Sequence, residues 1–227
     1  MSSAGWGAPV VRRLTCDTGT GSATAWWRWV ASAVSECSLT LAAMSGQQPG
    51  SWRIHDEQDL GSFGRGTLKR VSVDLPDGVS FDQYVIVLPE AVVVAAVNAE
   101  GAVLMLRRHR FILDRWVWEL PGGYTEEGED LDTAAARELE EETGWRPGRV
   151  EHMVTFQPMV GSADSANHVF VAYDCEATGG EVDINEAGEV RWVDLKEASR
   201  MIQTGELVGA ASVVAVSELK ARNATRR

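Results

Sequence analysis

The sequence predicts an α/β sandwich built on a mixed β-sheet, and three observations carry that prediction. Short strand-like segments punctuated by turn residues begin near Trp52. A glycine-containing loop then opens a single, strongly acidic helix. More strand-like segments follow, and the chain closes with two stretches of helical spacing. Strands, helix, strands and helices in that order describe helices layered on a sheet rather than a bundle or a barrel.

Taken in order, residues 67–74 alternate, with Leu68, Val71 and Val73 among polar neighbours, as a half-buried strand does. Pro76, Asp77 and Gly78 close it with a turn. Residues 83–88 make a second strand. Residues 91–97 are an unbroken run of small and β-branched apolar residues, the pattern of a strand buried on both faces. A turn over residues 98–101 leads to residues 102–106, read as the partner strand. The acidic helix is capped by Asp130 or Asp132 and ends at Gly144, where a left-handed residue is common. Leu131, Ala134, Ala135 and Leu139 give it an apolar stripe for the sheet. Residues 150–156, 168–173 and 189–193 are strands, and residues 195–204 and 209–222 are helices.

Composition removes several classes of function. A formal charge of −12 argues against nucleic acid as a partner gripped through its phosphates. No apolar run is long enough to span a membrane. Cys16, Cys37 and Cys175 are odd in number and unrelated in spacing, which fits neither a disulfide framework nor a zinc site and points to a reduced, cytoplasmic setting. Residues 1–43 hold Trp6, Trp26, Trp27 and Trp29 without strand alternation, and we read them as a disordered or non-native extension. Arg12 and Arg13 precede an alanine-rich stretch there, but Arg28 and Glu36 interrupt it, so a secretory leader is not expected. The polar run from Met44 reads as an ordinary N-terminus. His55, His109, His152 and His168 are scattered and read as structural, and Cys175 as a core thiol.

The chemistry is in the loop and helix. Gly122 and Gly123 permit tight backbone geometry. Residues 126–142 then carry nine acids against one base, Arg137. Glu138, Glu141 and Glu142 lie at i, i+3 and i+4, so their carboxylates share one helix face, where like charges cost a few tenths of a kcal/mol per pair. A hard divalent cation reverses that repulsion, and carboxylate oxygens suit Mg2+, or alternatively Mn2+. A solvated acidic face is the plainer alternative. The glycine loop and the apolar back of the helix favour the metal. Arg137 can pair with Glu141 or reach back to Glu129 and tie loop to helix.

Gly123, Glu129, Arg137, Glu138, Leu139, Glu141, Glu142, Gly144 and Trp145 fill the pattern Gly-x5-Glu-x7-Arg-Glu-U-x-Glu-Glu-x-Gly-U without a gap, U being a bulky apolar residue. That pattern resembles the Nudix box. The resemblance runs from about Trp52 to Ala221 and implies an α/β/α sandwich that hydrolyses a nucleoside diphosphate linked to another group. It also implies Glu138, Glu141 and Glu142 as metal ligands with the Gly122 carbonyl nearby, and Gly123, Glu129, Arg137 and Gly144 as the frame of the motif. We place one domain over residues 44–227, with N-terminal strands at 52–88 and a catalytic core at 89–227.

The flanks suggest a branch. Arg107 to Phe111 followed by Trp118 to Gly123 resembles the ADP-ribose pyrophosphatase and nucleotide-sugar hydrolases, in which Arg110 and Glu119 would approach the substrate. Arg107, with its neighbours Arg108 and Arg110, could clamp pyrophosphate oxygens. Residues 157–164 resemble the loop that supplies an acid, with Asp164 in that place, although an aspartate reaches one methylene less far than the usual glutamate. The expected catalytic carboxylates are therefore Glu141, Glu142 and Asp164, the expected substrate ADP-ribose, and the products AMP and ribose 5-phosphate. Other nucleotide sugars or nucleoside triphosphates are alternatives, as is a sensor that binds a nucleotide without turnover. The branch further implies a homodimer in which the strands before residue 90 complete the partner's site, with Tyr84 or Trp52 available to stack on a base.

Overall fold

A computed structural model describes residues 50–179 and 188–225, and the extension read over residues 1–43 lies outside them. Within the described residues the strands in chain order are β1 (Arg53–Phe63), β2 (Gly66–Asp74), β3 (Ser80–Val87), β4 (Ala91–Ala96), β5 (Val103–Arg110), β6 (Arg115–Glu119) and β7 (Gly122–Tyr124). Helix α1 (Leu131–Thr143) follows. Then come β8 (Trp145–Arg146), β9 (Arg149–Phe156), β10 (Ala163–Asp164), β11 (Asn167–Tyr173), β12 (Glu176–Ala177) and β13 (Glu189–Val193), and finally α2 (Leu195–Thr204) and α3 (Ala210–Thr225).

The central sheet runs β7-β4-β11-β9, with β4 and β11 parallel and the outer pairs antiparallel. Helices cover both faces, which is why residues 91–96 carry no polar side chain. On one face Val92, Val94 and Ala96 of β4 and Phe170 and Ala172 of β11 pack against Ala134, Ala135 and Leu139 of α1. On the other, Ala95, Val169 and Val171 meet Ala198 and Met201 of α2 and Ala215, Val216 and Leu219 of α3. The result is the α/β/α sandwich with a mixed sheet that the sequence predicts.

Asp130 takes the N-cap of α1 with an extended backbone, and its carbonyl accepts Ala134 N–H at 2.9 Å, but its side chain makes no capping bond. Asp132 lies in the first turn, where the helix dipole favours an acid. Gly144 closes the helix at φ 71°, its N–H reaching the Glu140 carbonyl at 2.8 Å. Trp145, a large residue for the position it fills, packs its ring edge-on against Trp192 of β13 at 5.2 Å.

One pairing expected from the sequence is corrected. Residues 102–106 do not form a ladder with 91–97: a single bridge, Val97 to Val103, joins them, and β5 instead lies between β13 and β6 in a separate three-stranded sheet. The turn itself is closed, Asn98 accepting Gly101 N–H at its carbonyl and Ala102 N–H at its side chain (3.0 and 2.8 Å). Beyond it both edges of each strand are taken: β4 lies between β7 and β11, and β5 between β13 and β6.

The N-terminal strands form a sheet of order β1-β2-β3-β10. Strand β10, from beyond α1, joins β3 in parallel, with Ile86 N–H to the Ser162 carbonyl at 3.0 Å and Leu88 N–H to the Asp164 carbonyl at 2.9 Å. Main-chain hydrogen bonds thus tie the segment before residue 88 to the segment that carries Asp164.

Candidate active site

Strand β7 brings the glycine loop against β4, with Gly122 opposite Val93 and Gly123 opposite Val92. Neither site has room for a side chain. A Cβ on Gly122 would lie 2.2 Å from the Val92 carbonyl oxygen, so any side chain would part the two strands. A Cβ on Gly123 would lie 2.6 Å from the Glu138 carboxyl group, so this glycine leaves the space the carboxylate fills.

Arg137 organises the loop and the helix together. Its Nε and Nη2 donate to the two oxygens of Glu129 at 2.8 and 2.9 Å, and Nη1 donates to Glu138 Oε1 at 2.8 Å and Glu141 Oε2 at 3.0 Å. Both alternatives for Arg137 are therefore realised at once. Glu129 also accepts the Glu126 N–H at 3.0 Å. The Arg137 guanidinium holds the Glu129 carboxyl at about 2, against an ordinary 4.5, with the Glu126 N–H assisting and partial burial opposing. A carboxyl more acidic when folded stabilises the fold above its unfolded pKa and loses that contribution as pH falls through its folded pKa. The stability difference between wild type and Glu129→Gln should therefore be full above pH 4.5 and close as pH falls towards 2. Urea unfolding of both proteins across that range measures it; a gap that ignored pH would contradict the assignment.

Glu142 is held from another side. Arg108 Nη2 donates to its Oε1 at 2.6 Å and the Gly122 N–H donates to its Oε2 at 2.9 Å. Both side chains are nearly enclosed, Arg108 at 13% and Glu142 at 9% exposure. Burial pushes the Glu142 carboxyl above its ordinary range, with Arg108 and the Gly122 N–H pulling against it.

The three box glutamates are thus divided between two arginines, and among the described residues no three acidic, histidine or cysteine side chains already converge as a cation grip. The residues nonetheless fit a hard cation. Glu138 and Glu141 both reach one positively charged nitrogen, Arg137 Nη1, within 3.0 Å, so their oxygens surround a common point, and the donors are all oxygen.

The β5–β6 hairpin sets the remaining arginines by parity. Leu106 faces Glu119, Arg108 faces Val117 and Arg110 faces Arg115, so Arg108, Arg110 and Glu119 share one face. There Arg110 grips Glu119 with two nitrogens, Nε at 2.9 Å from Oε1 and Nη2 at 2.6 Å from Oε2. Arg107 has the opposite parity and lies over the Trp116 ring at 5.7 Å, so it is not brought together with Arg110 and Glu119. The sequence reading underweighted Arg108, which strand alternation alone would have placed beside Arg110. Asp164 sits in β10 with Gln157 Nε2 at 3.4 Å, and no described hydrogen bond links it to the box glutamates. Trp52 and Tyr84 are exposed, Trp52 edge-on to Phe81 at 5.5 Å.

With this geometry in view, the profile of the NUDIX domain family matches residues 87–213. The chain belongs to the NUDIX domain family. A protein of Streptomyces rubellomurinus named CMP-5'-(N-acetyl-N-hydroxy-3-aminopropyl)phosphonate hydrolase is 37% identical over 161 residues, covering 71% of this chain and 75% of that protein. The ADP-ribose pyrophosphatase of Bacillus subtilis is 34% identical over 154 residues, covering 67% and 83%. The crystal structure of an ADP compounds hydrolase superposes with a TM-score of 0.69 at 17% identity, covering 80% of this chain and 98% of that one, a likeness of fold. The α/β/α sandwich is thus of the Nudix type, and this Nudix protein is an enzyme of the pyrophosphohydrolase class.

Proposed function

We propose that this Nudix enzyme hydrolyses the pyrophosphate bond of a nucleoside diphosphate derivative with Mg2+ (or Mn2+), and that ADP-ribose, giving AMP and ribose 5-phosphate, is its preferred substrate. The observation that carries the metal site is the convergence of Glu138 and Glu141 on a single cationic point beside the Gly123 cradle. Glu138, Glu141 and Glu142 are the residues that would hold the cation, with the Gly122 backbone close by. A bound divalent cation supplies neutralisation of the pyrophosphate oxygens and makes water a better nucleophile.

The chain's own groups do the rest. Glu142 is nearly enclosed beside the Gly122 loop, and a box carboxylate not fully taken up by the cation is one candidate to accept a proton from the attacking water. Asp164 is the other candidate for that step, and it would have to leave Gln157 to act. Arg110 and Glu119 form a part-exposed ion pair on the Arg108 face of the hairpin, which supports a role for both in contacting the substrate. Addition of one water across the P–O–P bridge gives a nucleoside monophosphate and the phosphorylated remainder.

The flanking residues and two relatives support ADP-ribose, the ADP-ribose pyrophosphatase of Bacillus subtilis and that of Mycobacterium tuberculosis, the latter 28% identical. The Streptomyces relative favours a second reading, since its name describes CMP joined to a phosphonate. Both substrates are a nucleoside monophosphate joined through a P–O–P bridge, and the box addresses that bridge. A panel of ADP-ribose, a CMP-phosphonate, nucleotide sugars and deoxynucleoside triphosphates, assayed with Mg2+ and product chromatography, should give the highest kcat/KM for ADP-ribose. A preference for triphosphates would overturn the substrate, and binding without turnover would make the protein a sensor.

We further infer one domain over residues 44–227, a homodimer, and a cytoplasmic enzyme. Exposed Trp52, Ile54, Phe63 and Tyr84 on β1–β3 and their flank support association through that sheet. A monomer mass in size-exclusion chromatography would remove the dimer.

A further inference from the structure

We propose that Arg108 is a displaceable counter-cation: it holds Glu142 until a divalent cation takes that carboxylate, and it then turns to the substrate's pyrophosphate, so that nucleotide binding is coupled to metal binding. This rests on the function proposed above and adds a coupling residue to the same site.

Three features of the site support it. First, Arg108 and an incoming cation would draw on the same carboxylate. Arg108 Nη2 stands 2.6 Å from Glu142 Oε1 while the Gly122 N–H occupies Oε2 at 2.9 Å, so each oxygen already has a donor. A cation drawn to Glu142 must share or displace the arginine, and two like charges on one carboxylate repel. Second, the pair is nearly enclosed, so Glu142 cannot rely on water for compensation; one positive partner must replace the other. Third, Arg108 lies on the face where a pyrophosphate would be gripped. Arg108 and Arg110 are two residues apart on one face of β5, and a guanidinium fork matches the oxygens of a diphosphate bidentately.

The alternative is that Arg108 simply buttresses Glu142 in position. The two ideas give opposite signs for one substitution. If Arg108 competes with the cation, Arg108→Gln tightens metal binding; if it only positions Glu142, the same change loosens it. Arg107 serves as a control, because it lies on the opposite face of the hairpin over Trp116.

The test titrates the full chain with Mn2+, followed by electron paramagnetic resonance, and then with the non-hydrolysable α,β-methylene-ADP at saturating Mn2+ by calorimetry. Arg108→Gln should bind Mn2+ about 5- to 10-fold more tightly without nucleotide and bind the analogue about tenfold more weakly with the metal present, within the usual range of coupling between linked sites. Arg107→Gln should change neither. Should Arg108→Gln fail to fold, Arg108→Lys should shift both affinities in the same directions by smaller factors, since a point charge grips Glu142 less firmly than a fork. Mn2+ affinity that is unchanged or weaker in the Arg108 variant, or analogue affinity that is unchanged, overturns the coupling. A wild-type protein that binds no Mn2+ instead overturns the proposed function itself.

Discussion

Glu142→Gln should abolish metal-dependent hydrolysis while the protein remains folded. Glu142 is the box glutamate with the least solvent, gripped by Arg108 and the Gly122 N–H, and the neutral amide offers neither the charge to hold a cation nor a carboxylate to take a proton. Loss of a general base and a charged ligand together should lower kcat by about 10²- to 10⁴-fold. The amide oxygen can still accept one of the two donors, so the structural cost should stay near that of one weakened buried hydrogen bond, about 1–3 kcal/mol. Steady-state kinetics beside a thermal melt separates the two effects. Activity within twofold of wild type would sink the catalytic role of Glu142.

Gly123→Ala should cost the next most, and for a geometric reason. The new methyl group would stand 2.6 Å from the Glu138 carboxyl, so the carboxylate must swing out of the cradle and leave Arg137 Nη1. The backbone there is not in the left-handed region, so alanine meets no intrinsic strain and the obstacle is a flexible side chain. Activity should fall about 10- to 100-fold, as small displacements of a positioned group do, while the melting temperature moves by only a few degrees. The Mg2+ concentration for half-maximal activity should rise in parallel. A variant that lost stability but kept its Mg2+ requirement would show that Gly123 supports the strand and not the carboxylate.

Much of the scaffold is legible in the residues. Helix α2 starts at Asp194, whose carboxylate accepts the Lys196 N–H, and α1 and α2 end at left-handed Gly144 and Gly205; these are chemical stops that need no tertiary information. Residues 91–96 announce a doubly covered strand because no polar side chain interrupts them. Strand β6 was not delimited, since Trp116 and Trp118 next to Arg115 and Glu119 do not alternate apolar with polar in a single sense. Strand β1 is exposed along its whole length, so no buried face imprints a pattern on it. A β4–β5 ladder does not form because each strand has both edges filled by other segments, β7 and β11 for β4 and β13 and β6 for β5, which no local pattern contains.

The site divides in the same way. Spacing alone puts Glu138, Glu141 and Glu142 on one helix face, while it leaves Arg137 the choice of Glu141 or Glu129, both of which it bonds in the folded chain. That Glu142 is satisfied from β5 by Arg108, across 34 residues of sequence, is a long-range packing result that no local pattern contains. The β5–β6 register puts Arg107 on the face opposite Arg108 and Arg110, a separation that three closely spaced arginines do not show by themselves.

The central claim is a metal-dependent cleavage of a P–O–P bridge, and a Mg2+ titration with ADP-ribose tests it most directly. Purified protein stripped with a chelator should be inactive, regain activity saturably as Mg2+ is added, and release AMP and ribose 5-phosphate in equal amounts. Equal product release with the chelator in excess, or no cleavage of any nucleoside diphosphate derivative at any Mg2+ concentration, would contradict it.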